Sequence, residues 1–124
     1  MAPARHGLSK SLRLLAPRDF AAVMKHGLRS RDEYFSIAAR PNGLGHARLG
    51  LAISRRAAAA AVTRNRLKRQ VRESFRHMRN GLASVDLVVM AQPAAAHAPG
   101  EQLRASLNRH WERITKQCRE SSFH

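Results

Sequence analysis

Apolar residues recur every three or four positions in three stretches of the chain, which predicts three amphipathic helices. The predicted stripes are Phe20, Val23 and Met24 within 17–26; Leu67, Val71, Phe75 and Met78 within 61–79; and Leu103, Leu107, Trp111 and Ile114 within 101–117. Pro17 and Gly27 suit the start and the stop of the first helix, and Asn80-Gly81 suits a C-cap of the second. Packing in the core is the simplest role for all three stripes.

Two segments between the first and second helices alternate with a period of two, which is typical of strands with one buried face. They are residues 34–39 and 49–53, and the glycine-rich turn between them predicts a β-hairpin. The second strand carries only small residues on its other face, which leaves room for a close approach. LVVMA at 87–91 is apolar throughout, so a strand covered on both faces is expected there.

The predicted order is therefore α-β-β-α-β-α, an α+β fold in which helices and a small sheet form a single α/β sandwich. We expect a basic N-terminal arm over 1–14, one domain over 15–118 and a C-terminal tail over 119–124. The arm lacks the apolar segment of a signal peptide, and it carries arginine and serine but no acid. A cytoplasmic protein with a basic arm is the plainer interpretation, and a mitochondrial presequence is the alternative.

The net positive charge of the chain indicates which class of molecule it binds. Twenty-three lysines and arginines oppose eight acids, for a formal charge of +15, and 19 of the 23 cations are arginine. Such an excess is compensated by a polyanion, and the guanidinium group matches phosphate oxygens. No stretch is apolar enough to enter a membrane, so nucleic acid is the favoured partner.

The cations are concentrated in the second helix. At roughly 100° per residue, Lys68, Arg69, Arg72, Arg76 and Arg79 fall in one arc beside the apolar stripe. Glu73 is the only acid from residue 55 to 79, where nine cations occur, whereas a merely solvated helix usually interleaves acids. We therefore interpret the arc as a binding face; the alternative is that it only keeps a basic protein soluble.

Three polar residues at the start of this helix, Arg64, Asn65 and Arg66, project in different directions. Arg64 lies near the apolar stripe and is expected to reach across the adjacent sheet, whereas Arg66 faces away from Lys68. Variants at Arg64 or Arg66 are expected to lose affinity for the nucleic acid with little change in thermal stability. For Asn65, capping of the helix start is the alternative role.

Catalytic groups are not apparent. The eight acids form no D-x-D or E-x-K core, and the seven histidines have no metal-ligand or catalytic-pair spacing. His26 is better placed to cap the first helix than to act in catalysis. Cys118 is the only cysteine, so no internal disulfide can form, and an inert role is expected. No catalytic residue and no metal ligand is predicted.

RLGLAISRR (48–56) followed by AVTRNRLKRQVRESFR (61–76) resembles the protein subunit of bacterial ribonuclease P. The resemblance continues in LRLLAPRDFAAVMKHG (12–27), in the DLVVMA strand and in the last helix, over about residues 11–117. It implies a left-handed βαβ crossover around the basic helix, as in the second domain of a ribosomal protein. It also implies that an RNA subunit with Mg²⁺ removes the 5′ leader of precursor tRNA, without a membrane or a further protein partner.

The resemblance assigns two sets of contacts. The catalytic RNA would be held by Arg64, Asn65, Arg66, Lys68, Arg69, Arg72 and Arg76. The substrate leader would be held in a central cleft by Phe20, Met24, Phe35, Arg55 and Arg56. Met24 and Ala38 stand where members of the family often present aromatics, so Phe20, Phe35 and the arginines are expected to carry more of the leader binding.

Two rival functions remain at this stage. A structural RNA-binding protein, such as a ribosomal protein, would share the composition and charge. A helix-turn-helix DNA-binding protein would need a second helix packed closely against the basic one.

Overall fold

The computed structural model describes residues 12–13, 16–82 and 84–121, and it has the predicted α+β class. The elements are α1 (Pro17–His26), β1 (Leu28–Arg31), β2 (Phe35–Pro41), β3 (Arg48–Ala52), α2 (Ala61–Met78), β4 (Val85–Ala91) and α3 (Gly100–Ser121). Short 3-10 helices follow α2 at Arg79–Gly81 and β4 at Pro93–His97. β1 is an extra strand: LRSR is too short and too charged to show a strand pattern.

The sheet has the order β1-β2-β4-β3. β1 and β2 form an antiparallel hairpin, β2 pairs antiparallel with β4, and β4 pairs parallel with β3. The predicted hairpin between β2 and β3 is wrong, because β4 lies between them. β4 is the most apolar strand, and the central position buries Leu87, Val88 and Val89 completely. β3, α2 and β4 form the parallel βαβ unit that the resemblance implies.

The sheet is sandwiched between helices. α2 and α3 cover one face, where the main core includes Phe35, Ile37 and Leu87. α1 covers part of the other face, where Val23 packs against Ala38 and Val88. Because side chains alternate along a strand, successive residues of β2 belong to opposite layers.

Contacts between α2 and α3 fix the basic helix on the sheet. Phe75 meets Trp111 edge to face at a centroid distance of 6.4 Å, and Trp111 Nε1 donates to Ser74 Oγ at 2.7 Å. Leu67 and Val71 are fully buried, as the stripe predicts. Met78 is not part of the buried stripe: it is 36 % exposed, at the last residue of α2.

The ends of the helices differ in part from the prediction. Pro17 occupies the first turn of α1, and the helix stops at Gly27, as expected. A Cβ on Gly27 would lie 2.5 Å from the carbonyl oxygen of Val23, so glycine is required there by close packing. The predicted C-cap at Asn80-Gly81 is wrong, since α2 ends at Met78 and these residues belong to a 3-10 turn.

The two predicted terminal segments are partly structured. Leu12 packs against the main core, and Arg13 forms an isolated bridge with Leu49 of β3. Residues 119–121, predicted as tail, continue the backbone of α3. The rest of the predicted arm (1–11 and 14) and residues 122–124 lie outside the described residues.

A buried polar network attaches the β1–β2 turn to α3. Asp32 Oδ1 accepts hydrogen bonds from the backbone N–H groups of Tyr34 and Phe35 at 2.8 and 2.9 Å, and Ser106 Oγ donates to Oδ2 at 2.5 Å. Burial alone raises the pKa of Asp32, but these hydrogen bonds and the nearby His110 outweigh it and lower the pKa to about 2. The carboxylate therefore stays ionised throughout the physiological range.

His110 extends the network to β1. Its Nδ1 lies 2.6 Å from Ser30 Oγ, which in turn accepts from Arg113 Nη1 at 2.9 Å. Nε2 lies 3.2 Å from Asp32 Oδ1, in a geometry too bent for a hydrogen bond. His110 is 1 % exposed, and burial lowers its pKa, which favours the uncharged ring.

Candidate nucleic-acid interface

Four cations of α2, and Arg79 just after it, lie on the side of the helix that faces away from α3. Leu67, Val71 and Phe75 point into the core, and Gln70 and Ser74 line a groove against α3. At about 100° per residue, the opposite flank of the buried stripe carries the five cations. We call this surface the α2 cation face; it consists of Lys68, Arg69, Arg72, Arg76 and Arg79, all partly or fully exposed.

The α2 cation face keeps its charge. Within the described residues, no ion pair joins Lys68, Arg69 or Arg72 to a carboxylate. The internal pairs lie elsewhere, between Asp32 and α3 and around Arg48. Glu73 is the only acid in this helix, so like charges one turn apart repel each other, and a polyanion relieves that repulsion.

Arg48 forms ion pairs with two acids on the α1 side of the sheet. Its guanidinium donates to both carboxylate oxygens of Asp86 at 2.7 Å and lies 3.6 Å from Asp19. Hydrogen bonding to Asp86 raises the pKa of Arg48 further. A cavity of about 420 Å³ adjoins this cluster, and its lining carries two arginines and two aspartates, which makes it a poor site for phosphate.

The two arginines of the RNR segment contact backbone carbonyls. Arg64 Nη1 donates to the carbonyl oxygens of Ala58 and Ala59 at 3.0 and 2.8 Å, so the expected reach across the sheet is wrong. Arg66 Nη2 donates to the carbonyl oxygen of Ala96 at 3.1 Å, in the 3-10 helix after β4. Sequence reasoning had no signal for these contacts, because any residue can supply a carbonyl.

Asn65 does not cap the helix. α2 begins at Ala61 with Ala60 as the N-cap residue, and Asn65 is exposed in the helix's second turn. Its amide is therefore available to an RNA partner. Beside it, Arg56 and Thr63 line a cavity of about 660 Å³ between the start of α2 and the 3-10 helix.

A second candidate surface is a groove on the α1 side of the sheet. We call it the α1-side groove; it has a volume of about 420 Å³ and is lined by Arg31, Ser36, Ala52, Ser54, Met90, Ala91 and Gln92. Phe20 and Met24 are half-buried on the small core cluster against which Ala52 also packs, so they lie toward its α1 flank. Small side chains on β3 leave the groove open, as the sequence predicts.

Three of the predicted leader contacts change in the structure. Phe35 is 0 % exposed in the main core, on the other face of the sheet, so its predicted contact with the leader is wrong. Arg55 and Arg56 are exposed in the turn after β3, and Arg56 lines the cavity at the start of α2 rather than the groove. Arg31, which sequence reasoning missed, lines the groove from the edge strand β1.

Metal ligands or long apolar helices would each indicate a different type of site. Among the described residues, no group of three or more histidine, cysteine, aspartate or glutamate side chains could hold a metal ion. In that same part of the chain, no helix has the length and apolar character needed to cross a bilayer. Cys118 is buried, and burial raises the pKa of its thiol, which is the inert state expected for it.

Comparisons with known proteins agree with this picture. The family model of ribonuclease P matches residues 8–115. The ribonuclease P protein component of Methylococcus capsulatus is 44 % identical over 94 % of this chain and 91 % of its own length, and that of Aliivibrio fischeri is 40 % identical over 92 % and 97 %.

Solved structures show the same fold. The RNase P protein of Staphylococcus aureus matches with a TM-score of 0.77 and 30 % identity over 86 % of this chain and 97 % of its own. That of Thermotoga maritima matches with a TM-score of 0.74 and 33 % identity over 82 % and 96 %. A basic helix on a small mixed sheet, a match over most of the sequence and the agreement in fold lead to one conclusion: this chain belongs to the ribonuclease P protein family.

Proposed function

We propose that this chain binds the catalytic RNA subunit of ribonuclease P through α2 and the 5′ leader of precursor tRNA through the α1-side groove. As a member of this family it is an RNA-binding component of a tRNA-processing ribonucleoprotein. One observation carries the proposal: the α2 cation face stands beside a fully buried stripe, without carboxylate partners for Lys68, Arg69 or Arg72 among the described residues.

The α2 cation face suits a folded RNA. Four of its cations follow one flank of an 18-residue helix and Arg79 follows at its C-terminal end, so they can meet several phosphates along one backbone. Each phosphate neutralised releases counterions, which makes the affinity depend strongly on salt. Asn65 adds an exposed amide at the start of the helix, while Arg64 and Arg66 hold the neighbouring loops in position and keep part of their surface exposed.

The α1-side groove suits a single strand. Arg31 supplies a charge for a phosphate, and Met90, with Phe20 and Met24 on the α1 flank, supplies apolar surface for bases. Since Phe35 is buried and Ala38 packs beneath α1, aromatic stacking by the groove rests on Phe20. We therefore expect leader binding here to depend more on charge and less on stacking than in relatives with more aromatics.

The chemistry belongs to the RNA in this proposal. The RNA subunit binds the Mg²⁺ ions and cleaves the precursor, and the protein holds both RNAs in place. The positions of the acids support this assignment, because Asp86 is bound to Arg48 and Asp32 to Ser106. We further propose that the assembly works in the cytoplasm and requires no second protein.

The two rivals can be weighed against the fold. A helix-turn-helix protein pairs its basic helix with a preceding helix, whereas α2 follows β3 and precedes β4. A structural RNA-binding protein would bind RNA without any effect on precursor processing. An activity assay is therefore needed to distinguish the proposed function from that of a structural RNA-binding protein.

The assay measures removal of the leader from precursor tRNA by a bacterial ribonuclease P RNA, with and without the protein, across a Mg²⁺ titration. We expect the protein to stimulate cleavage most at low Mg²⁺, because its cations then replace missing counter-charge on the two RNAs. Phe20→Ala should weaken binding of precursor with a leader and leave binding of mature tRNA unchanged, and Arg104→Gln on α3 serves as an exposed control. Absence of stimulation at every Mg²⁺ concentration would exclude the proposal.

A further inference from the structure

A second group of exposed cations lies at the opposite edge of the sheet from α2. Arg109, Arg113 and Lys116 are all exposed on α3 and are spaced four and three residues apart. One helical turn separates each from the next, so the three form a row about 10 Å long. We call this row, together with Arg31 of β1, the β1-edge cations.

Contacts with β1 fix the position of this row. His110 and Ser106 are buried where α3 meets the β1–β2 hairpin, and the row lies on the flank next to them. Arg113 Nη1 donates to Ser30 Oγ at 2.9 Å, and Arg109 Nη2 lies 3.7 Å from Asp32 Oδ2. The row is therefore attached to the outer strand β1, whereas the α2 cation face lies beyond the other flank of the helical layer.

The edge strand connects the row to the α1-side groove. Ser30 and Arg31 are consecutive in β1, so their side chains point to opposite faces of the sheet. Ser30 holds Arg113 on the α3 face, and Arg31 lines the groove on the α1 face. Cationic groups thus continue from the groove around a single strand to α3.

We propose that the 5′ leader, where it extends beyond the α1-side groove, turns around β1 at Arg31 and follows Arg113, Arg109 and Lys116 along α3. This inference rests on the proposed binding of the leader in the groove, and it adds a second contact region for the distal nucleotides. A single RNA strand fits because it is flexible enough to turn around an edge and carries a phosphate at every nucleotide. Contacts with phosphates depend on charge and not on base sequence, so the β1-edge cations should bind any leader long enough to reach them.

The neighbouring acids leave the row its positive charge. Asp32 is engaged by Ser106 and two backbone N–H groups, which leaves a long contact to Arg109. Glu112 lies on the adjacent arc of α3, and it forms no ion pair within the described residues. Three cations against one free acid favour a phosphate backbone over a neutral partner.

The test measures binding of precursor tRNAs with graded leader lengths to the complete holoenzyme at low salt. The variant combines Arg109→Gln, Arg113→Gln and Lys116→Gln. The control combines Lys25→Gln, Arg40→Gln and Arg104→Gln, which removes the same charge from scattered exposed positions. A second variant with only Arg109→Gln and Lys116→Gln retains the Arg113–Ser30 hydrogen bond, in case the triple variant folds poorly.

We expect the affinity of the wild type to rise first with a short leader and again with a long one. The variant should lose about tenfold in affinity for the long leader only, since each exposed charge contact contributes a few-fold. The control should retain the second rise. The proposed path along α3 is refuted if the variant also retains the second rise in affinity, or if variant and control weaken binding equally at every leader length. Leader binding in the α1-side groove would still stand. If even a short leader adds nothing for the wild type, the proposed function of the groove fails first.

Discussion

Replacement of Arg72 by glutamine should raise the stability of the protein while weakening its binding to RNA. Arg72 lies in the middle of the α2 cation face, one turn from Lys68 and Arg76 and three residues after Arg69. No described carboxylate pairs with it. An arginine that served only to stabilise the fold would lower the stability when replaced.

The magnitude follows from the neighbours of Arg72 in the helix. Three like-charge pairs, with Lys68, Arg69 and Arg76, each cost a few tenths of a kcal/mol in the free protein. Their removal should therefore raise the free energy of unfolding by about 0.5–1 kcal/mol at low salt. Glutamine has nearly the helix propensity of arginine, and Arg72 lies outside the last turn, so neither propensity nor the helix dipole offsets the gain.

The assay pairs urea unfolding with RNA binding at several salt concentrations. Loss of one phosphate contact should reduce the slope of log affinity against log salt by about 0.7–0.9. Arg104→Gln is the matched control, because Arg104 is exposed on α3 three residues after Glu101. That control should leave the salt slope unchanged and the stability equal or slightly lower.

Two results would refute the reasoning. Destabilisation by Arg72→Gln of about 1 kcal/mol or more would mean that the arginine supports the fold. An unchanged salt slope would mean that the α2 cation face does not meet phosphate at this position.

Three further predictions concern the fold around the sites. Arg66→Ala should lower the free energy of unfolding by about 0.5–1.5 kcal/mol in urea titrations, against little change for Arg69→Ala, because it loses the hydrogen bond to the 3-10 helix. Asp32→Asn should lower the free energy of unfolding by about 1–2 kcal/mol at pH 7. The difference from wild type should shrink as the pH falls from about 4 to about 2, because a carboxylate with a lowered pKa stabilises the fold only while it is ionised. Gly27→Ala should lower the free energy of unfolding by about 1–3 kcal/mol, and with it the melting temperature, because the added Cβ clashes with the Val23 carbonyl oxygen. An unchanged stability in any of these three variants would contradict the corresponding contact.

Local patterns predicted the helices and the central strand well, because each is set by the spacing of its own apolar residues. The pairing of strands could not be predicted in the same way. A glycine-rich turn between β2 and β3 favours a hairpin locally, but the apolar run Leu87, Val88 and Val89 of β4 is better buried in the middle of the sheet. Burial of β4 determined the topology, and the turn became a connection across it.

The candidate sites likewise differ in whether local sequence patterns or the whole fold determine them. The α2 cation face follows from helical periodicity, so the sequence was sufficient for it. Phe35 illustrates the opposite case, because alternation separates the two faces of a strand without indicating which one meets the helical layer. Arg64 was expected to reach across the sheet, and the resemblance assigned both Arg64 and Arg66 to the RNA. Their carbonyl partners come from loops whose positions depend on the whole fold. The earlier expectation that Arg66 variants leave stability unchanged is therefore replaced by the prediction above.

The place of β4 in the sheet also sets an order of events during synthesis. β2 and β3 emerge from the ribosome before their shared partner exists, and neither can be paired on that side until Val85–Ala91 has been made. Contacts between such distant segments form late, and unpaired strand edges invite association with other chains. A nascent chain that ends before β4 therefore contains the whole basic helix, but it lacks the central strand that joins β2 to β3.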